Sequence, residues 1–182
     1  VLVCSAGIFA ASMTSQANRS YFIDSVRYWV GDDTKIVVDN DRTNEKKCED
    51  EQKAIDDIEK ELSVDIPRFL YRPEGLEFKD YNISKDFEYA LLQYDYNDTI
   101  MTLYINKYDK ETKSTGASLD GKEIETIKLP EGEASIQVKR IMAKGDKKAS
   151  YVAYWNNSTE FYQIESQMEE KEFIKLIKNI KF

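Results

Sequence analysis

Polar and apolar residues alternate with two different periods along this chain, and each change of period marks an element. From Ala134 onward the period is two: Ile136 and Val138 alternate in one run, Tyr151, Ala153 and Trp155 in the next, Tyr162 and Ile164 in a third. Gly145-Asp146 and Asn156-Asn157-Ser158 separate these runs, so the spacing predicts three strands joined by hairpins and paired antiparallel in chain order. The period then lengthens. Phe173, Leu176, Ile177 and Ile180 form a helical stripe over about Met168 to Asn179, and Ser166-Gln167-Met168-Glu169 has the spacing of a capping box. Glu169, Glu170 and Glu172 open this helix and Lys175, Lys178 and Lys181 close it, matching the helix macrodipole.

Upstream, Phe22, Val26, Trp29 and Val30 give one apolar stripe over Gln16 to Val30, with Ser15 as N-cap and Gly31 as stop. Thr34 to Val38 reads as a short strand, and Asp39 to Glu45 as a polar loop. A second helix is predicted over Glu49 to Leu62 from Ala54, Ile55, Ile58 and Leu62, ending ahead of Ile66-Pro67 because the residue before proline avoids helical geometry. Arg72-Pro73-Glu74-Gly75 reads as a type II turn whose glycine supplies the positive φ. It leads into a strand from Leu76 to Tyr81. Asp86 to Tyr108 is the next hairpin, with Tyr94 and Tyr96 on one arm, Met101, Leu103 and Ile105 on the other, and the turn at Tyr96-Asn97-Asp98-Thr99. Lys110 to Gly121 is a polar loop, Lys122 to Leu129 a strand with Ile127 and Leu129 inward, and Pro130-Glu131-Gly132 the turn into Ala134. The sum is an α+β chain: two N-terminal helices, an antiparallel meander sheet of about six or seven strands, and a C-terminal helix packed on the sheet.

The first residues stand apart. Val1 to Ala11 is apolar, uncharged and rich in small residues, but shorter than the roughly 20 residues that span a bilayer. Residues 1–13 therefore read as the remnant of a membrane helix or signal segment, and residues 14–182 as one extracytoplasmic domain. An ordinary buried segment is the plain alternative. A lipoprotein signal around Cys4 is disfavoured because Val3 sits where such signals want a small residue.

Composition removes several chemistries. The chain of 182 residues has no histidine, which excludes Ser-His-Asp and Cys-His catalysis, His-ligated zinc and histidine pH switching. Cys4 and Cys48 cannot form a zinc site by themselves and read as unrelated thiols. A net charge of −8 with scattered Lys and Arg argues against nucleic acid as a partner. Asp39-Asn40-Asp41 begins like a calcium loop, but the sharp-turn glycine is missing, and no metal or cofactor is expected. The Asn-x-Ser/Thr triplets at Asn82, Asn97, Asn156 and Asn157 read as turn residues. No spacing singles out a carboxylate pair, a phosphate loop or a Ser-x-x-Lys nucleophile, so no catalytic residue is assigned.

One feature carries functional colour. Twelve tyrosines are present, and Tyr94, Tyr104, Tyr154, Trp155 and Tyr162 lie on predicted strands whose two faces are both rich in aromatics. One face must meet the closing helix. The other is either covered by the N-terminal helices or forms an open groove for a ligand, with these five residues as the candidate ligand-binding aromatic face.

Several segments together resemble a known family. They are the apolar lead with Thr14-Ser15-Gln16-Ala17-Asn18-Arg19, Ile66-Pro67, Phe69-Leu70-Tyr71-Arg72-Pro73-Glu74-Gly75-Leu76, and Tyr154-Trp155 with Phe161-Tyr162-Gln163-Ile164 before a helix. This set resembles the domain-of-unknown-function family DUF4367 of Gram-positive bacteria. The resemblance implies an extracytoplasmic α+β domain behind a single membrane helix, with some members similar to anti-sigma-factor proteins. It implies no catalytic residues.

The expectation is a non-enzymatic extracytoplasmic binding or sensing domain of a membrane-anchored bacterial protein, anchored through the N-terminal segment and meeting an envelope ligand or protein partner. The alternative is a secreted or lipid-attached carrier that holds an apolar ligand in a curved sheet. A carboxylate hydrolase is a weaker third reading.

Overall fold

The computed structural model describes residues 44–107, 121–129, 134–142 and 146–182, with side chains from Asp50 onward. The expectations for the apolar lead, the stripe over residues 16–30, the strand over 34–38, the calcium-like opening at 39–41, the loop over 110–120 and the turn at 130–132 lie outside these residues. In chain order the elements are α1 (Asn44–Leu62), β1 (Arg68–Phe69), β2 (Leu76–Ser84), β3 (Tyr89–Tyr96), β4 (Thr99–Lys107), β5 (Lys122–Lys128), β6 (Ser135–Ile141), β7 (Ser150–Asn156), β8 (Glu160–Ser166), α2 (Glu170–Lys178) and β9 (Ile180–Lys181).

Seven strands form one antiparallel sheet in the order β2-β3-β4-β8-β7-β6-β5. Each predicted hairpin pairs in chain order, but the sheet is not a single meander: β8 pairs with β4, which joins two meanders in the middle. The reason lies in the side chains. Met101, Leu103 and Ile105 of β4 and Tyr162 and Ile164 of β8 are all fully buried. The charged strand β5, Lys-Glu-Ile-Glu-Thr-Ile-Lys, is left at one edge, and β2 forms the other. Both edges carry a register shift, at Phe78/Asp80 and at Glu123/Glu125, beside charged residues. Bulges and charge on an edge discourage pairing with another chain.

Three boundaries differ from the sequence reading. Helix α1 starts at Asn44 rather than Glu49, taking in the end of the predicted loop. The added residues, Asn44-Glu45-Lys46-Lys47-Cys48, carry no apolar stripe, so periodicity could not register them. Helix α2 starts at Glu170, and its N-cap, Glu169, makes no side-chain capping bond. The predicted capping box does not form because Ser166 is still in the sheet, paired with Tyr151. Its hydroxyl instead accepts from the Met168 N–H at 3.2 Å. Ile180, expected on the helix stripe, belongs to β9, a two-residue strand that pairs with β1 through Phe69.

The turn forms one residue on from the predicted Arg72–Gly75, over Pro73 to Leu76, with Gly75 in its third position. Gly75 has φ of 81°, and the Leu76 N–H donates to the Pro73 carbonyl at 3.1 Å. A Cβ there would also lie 2.9 Å from Asn97 Oδ1, so the position excludes a side chain on two grounds.

Both described helices pack on the same sheet face. Ile55, Ile58 and Leu62 of α1 and Phe173, Leu176 and Ile177 of α2 share one core with Leu92, Tyr94, Leu103, Ile105, Ala153, Trp155 and Ile164. Alternation along each strand sends the intervening residues to the opposite face.

Candidate functional site

The core face ends in a polar seam. Tyrosines whose rings fill the apolar layer reach past it, and their hydroxyls donate to carboxylates on the helices. Tyr94 donates to Glu51 Oε1 at 2.9 Å, Tyr81 to Asp57 Oδ2 at 2.6 Å, Tyr151 to Glu170 Oε2 at 3.3 Å, and Tyr71 to Glu172 Oε2. Cations neutralise this rim: Arg72 Nη2 is 2.6 Å from Glu51, Lys53 Nζ 2.6 Å from Asp57, and Lys175 Nζ lies 3.8 Å from the Tyr71 ring centroid. Hydrogen bonding to Lys53 and then to Tyr81 holds the Asp57 carboxyl below its ordinary value. Much of the tyrosine surplus is explained by this seam, because the amphipathic phenol packs with its ring and binds with its tip.

The five aromatics chosen from the sequence divide between the two faces. Tyr94, Trp155 and Tyr162 lie on the core face. The Trp155 and Tyr162 rings stack with centroids 5.0 Å apart and 8° between planes, and Phe182 meets both edge-on. Tyr162 donates its hydroxyl to the Asp65 carbonyl at 2.9 Å. The Trp155 Nε1 proton is buried without a hydrogen-bond partner, a cost of about 1–3 kcal/mol that the stacking helps offset. These three residues build the interior. Tyr104 and Tyr154 point the other way.

On that opposite face the register aligns two rows across the strands. One runs Asn82, Leu91, Tyr104, Gln163, Tyr154 and Gln137; the next runs Asp80, Gln93, Thr102, Glu165, Val152 and Lys139. Amides, a hydroxyl and carboxylates thus occupy the middle of a sheet whose other face is apolar. Gln93, Thr102, Gln163 and Glu165 are buried. Tyr104, Phe161 and Tyr154 are partly exposed, and Gln137 is open. Tyr104 lies 5.8 Å from Tyr89 and 6.3 Å from Phe161 between ring centroids. Tyr154 donates to Gln137 Oε1, and Lys139 Nζ is 5.6 Å from the Tyr154 centroid. Asn82 Oδ1 is buried without a hydrogen-bond partner.

This face is equipped for recognition. Its amides both donate and accept, and its rings offer stacking surfaces. The sequence reading chose the aromatics and missed Gln93, Thr102, Gln163 and Glu165. The signal was present: Gln93 interrupts the apolar run from Tyr89 to Tyr94, and alternation from Tyr94 places it opposite the core.

The buried phenols predict alkaline behaviour. Burial raises the pKa of Tyr89, Tyr94, Tyr104 and Tyr162, most strongly for Tyr94, Tyr104 and Tyr162. A phenol held above its unfolded value of about 10 binds its proton more tightly when folded. The stability it contributes is complete below about pH 10 and is lost as the pH climbs toward the folded value. Tyrosinate absorbance should therefore show these four phenols ionising only together with loss of near-ultraviolet circular dichroism. A single normal titration of all tyrosines with the fold intact would contradict the burial.

Among the described residues no group of three or more Cys, Asp and Glu converges as metal ligands would. No described helix is long and apolar enough to cross a membrane. Comparison with curated proteins and with solved structures finds no match to either. The family model described as a domain of unknown function, DUF4367, matches residues 66–180, from the segment after α1 to the first residue of β9. That span contains every strand of the seven-stranded sheet and all of α2, and on this match the chain belongs to the DUF4367 family.

Proposed function

We propose that this chain is a non-enzymatic extracytoplasmic binding or sensing domain of a membrane-anchored protein, and that it meets its ligand or partner on the polar face of the sheet. The observation that carries the reading is the contrast between the two faces: helices and an apolar core close one, while amides and tyrosines line the other. The apolar lead supports placement behind a membrane anchor, and family membership is in keeping with it. Ile58, Leu103, Ile105 and Phe173 fill the space between sheet and helices, which favours contact at a surface over enclosure of an apolar ligand.

A ligand suited to this face presents many hydrogen-bonding groups and flat or ring-shaped surfaces, as cell-wall glycopeptide does. Co-sedimentation of the full chain with purified peptidoglycan sacculi tests this. Binding is expected, with Tyr104→Ala and Tyr154→Ala each weakening it about tenfold, the size of one lost stacking contact of about 1.4 kcal/mol. Leu70→Ala, at an exposed position off this face, should leave it unchanged. No binding by the unsubstituted chain, or equal binding by all variants, would refute the proposed surface. Release of soluble muropeptides would refute the non-enzymatic assignment.

A further inference from the structure

Helix α1 lies ahead of the span that defines the family, yet it closes part of the core face. The family span supplies the groove in which it sits. The floor of that groove is apolar, with Leu92, Leu103 and Ile105 in one core with Ile55, Ile58 and Leu62 of α1. Its rim is basic: Arg72 Nη2 is 2.6 Å from Glu51, Arg68 Nη2 is 2.9 Å from Glu59, and Lys85 pairs with Glu61. Lys107 Nζ donates to the Leu62 carbonyl at 3.3 Å, at the negative end of the helix. Helix α1 answers this rim with eight acidic residues against four lysines. An apolar floor under a basic rim is a seat for an acidic amphipathic helix. Helix and groove are joined in the chain through residues 63–67, and the first of these, Ser63, has φ of 52°. That is the left-handed region, where the Cβ of a non-glycine residue crowds the carbonyl oxygen.

We infer that α1 is exchanged between two copies of this chain, each copy's α1 seated in the groove of the other. The contacts do not distinguish the two arrangements. A second copy brings the same Ile55, Ile58 and Leu62 to the floor and the same Glu51, Glu59 and Glu61 to the rim. What differs is the hinge. With α1 swung away, Ser63 leaves the left-handed region, while Val64 and Ile66, 4 % and 2 % exposed, keep their places in their own core. A short connection under strain favours exchange of this kind, and the dimer's share then follows concentration by mass action. The occupant is a second copy because α1 is the helix whose apolar spacing and acids already match this floor and rim. The exchange takes place on the core face, so it does not depend on what the polar face binds.

Two charge-reversed variants of the full chain test this. One carries Glu59→Lys and Glu61→Lys on α1, the other Arg68→Glu and Lys85→Glu on the rim. All four side chains are at least 35 % exposed, so both variants should fold. Each variant alone sets like charges against each other, as a monomer and as its own exchanged dimer. Only a heterodimer with α1 exchanged restores every pair. After mixing in mild urea and return to buffer, native mass spectrometry should show at least tenfold more heterodimer than either homodimer. That heterodimer should also melt at a higher temperature than either variant alone. Absence of the heterodimer overturns the inference. So does a heterodimer that melts no higher than its parts, because attraction between whole surfaces restores no ion pair within the groove. The unsubstituted chain gives a second measurement that needs no charge reversal. Light scattering should show a dimer whose share rises with concentration and falls about threefold in Ser63→Gly, since glycine takes the positive φ without strain. A monomer at every concentration, or a dimer share that Ser63→Gly leaves unchanged, overturns the inference.

Discussion

Phe173→Ala is expected to lower the unfolding free energy by about 3–5 kcal/mol, the range for removing a fully buried phenylalanine. Helix α2 has nine residues, too few to persist in water without tertiary support. It is held by Phe173, Leu176 and Ile177, with Phe173 fully buried and its ring centroid 5.8 Å from that of Tyr151. The neighbours cannot follow into the space left behind, because Tyr151 is fixed in the β7 ladder on both sides. With a typical domain stable by about 5–15 kcal/mol, this one change removes a large part of the margin. Urea unfolding followed by circular dichroism measures it. Lys171→Ala, on the exposed side of the same helix, should cost less than about 0.5 kcal/mol. Equal effects for the two variants would mean that α2 is not docked through Phe173.

The second large effect is expected at Glu51. This carboxylate sits on the apolar side of α1, 5 % exposed, and accepts from both Arg72 and the Tyr94 hydroxyl. Glu51→Ala leaves the Tyr94 hydroxyl buried with its acceptor gone. Arg72, at 37 % side-chain exposure, can turn to water, so the loss should fall below the full range for a broken buried pair, at about 2–3 kcal/mol. Adding Tyr94→Phe to Glu51→Ala removes the orphaned donor and should recover about 1 kcal/mol, although Tyr94→Phe alone is destabilising. Denaturant titration of the two single variants and the double variant closes the cycle. Additive losses would show that the hydroxyl does not depend on Glu51.

Much of the architecture could be read without coordinates because local rules and burial agree there. Ile136 and Val138, Tyr151 to Trp155, and Tyr162 and Ile164 alternate cleanly, and each run is a strand. Phe173, Leu176 and Ile177 recur at helical spacing and are the buried residues of α2. The start of α1 lacks an apolar stripe that would mark it, and at the start of α2 a local cue conflicts with strand pairing. Ser166 has the spacing of a cap but stays a strand residue because the ladder with Tyr151 uses its backbone. The candidate site was half legible. Alternation sets Tyr104 apart from Leu103 and Ile105, and Tyr154 from Ala153 and Trp155, but it does not say which face becomes the interior, where Tyr94, Trp155 and Tyr162 lie.

By itself the sequence determined the kinds of element and the antiparallel hairpins, since these follow from residue type and from spacing over a few positions. Tertiary structure decided which hairpins became neighbours, with β8 against β4, and which side of each strand the helices closed. It also decided that tyrosine hydroxyls meet helix carboxylates across up to 101 positions of sequence. The physical reason is that alternation fixes two faces for every strand but does not say which face will be buried. That choice depends on how much apolar surface the distant helices bring, a property of the whole chain and of no single segment.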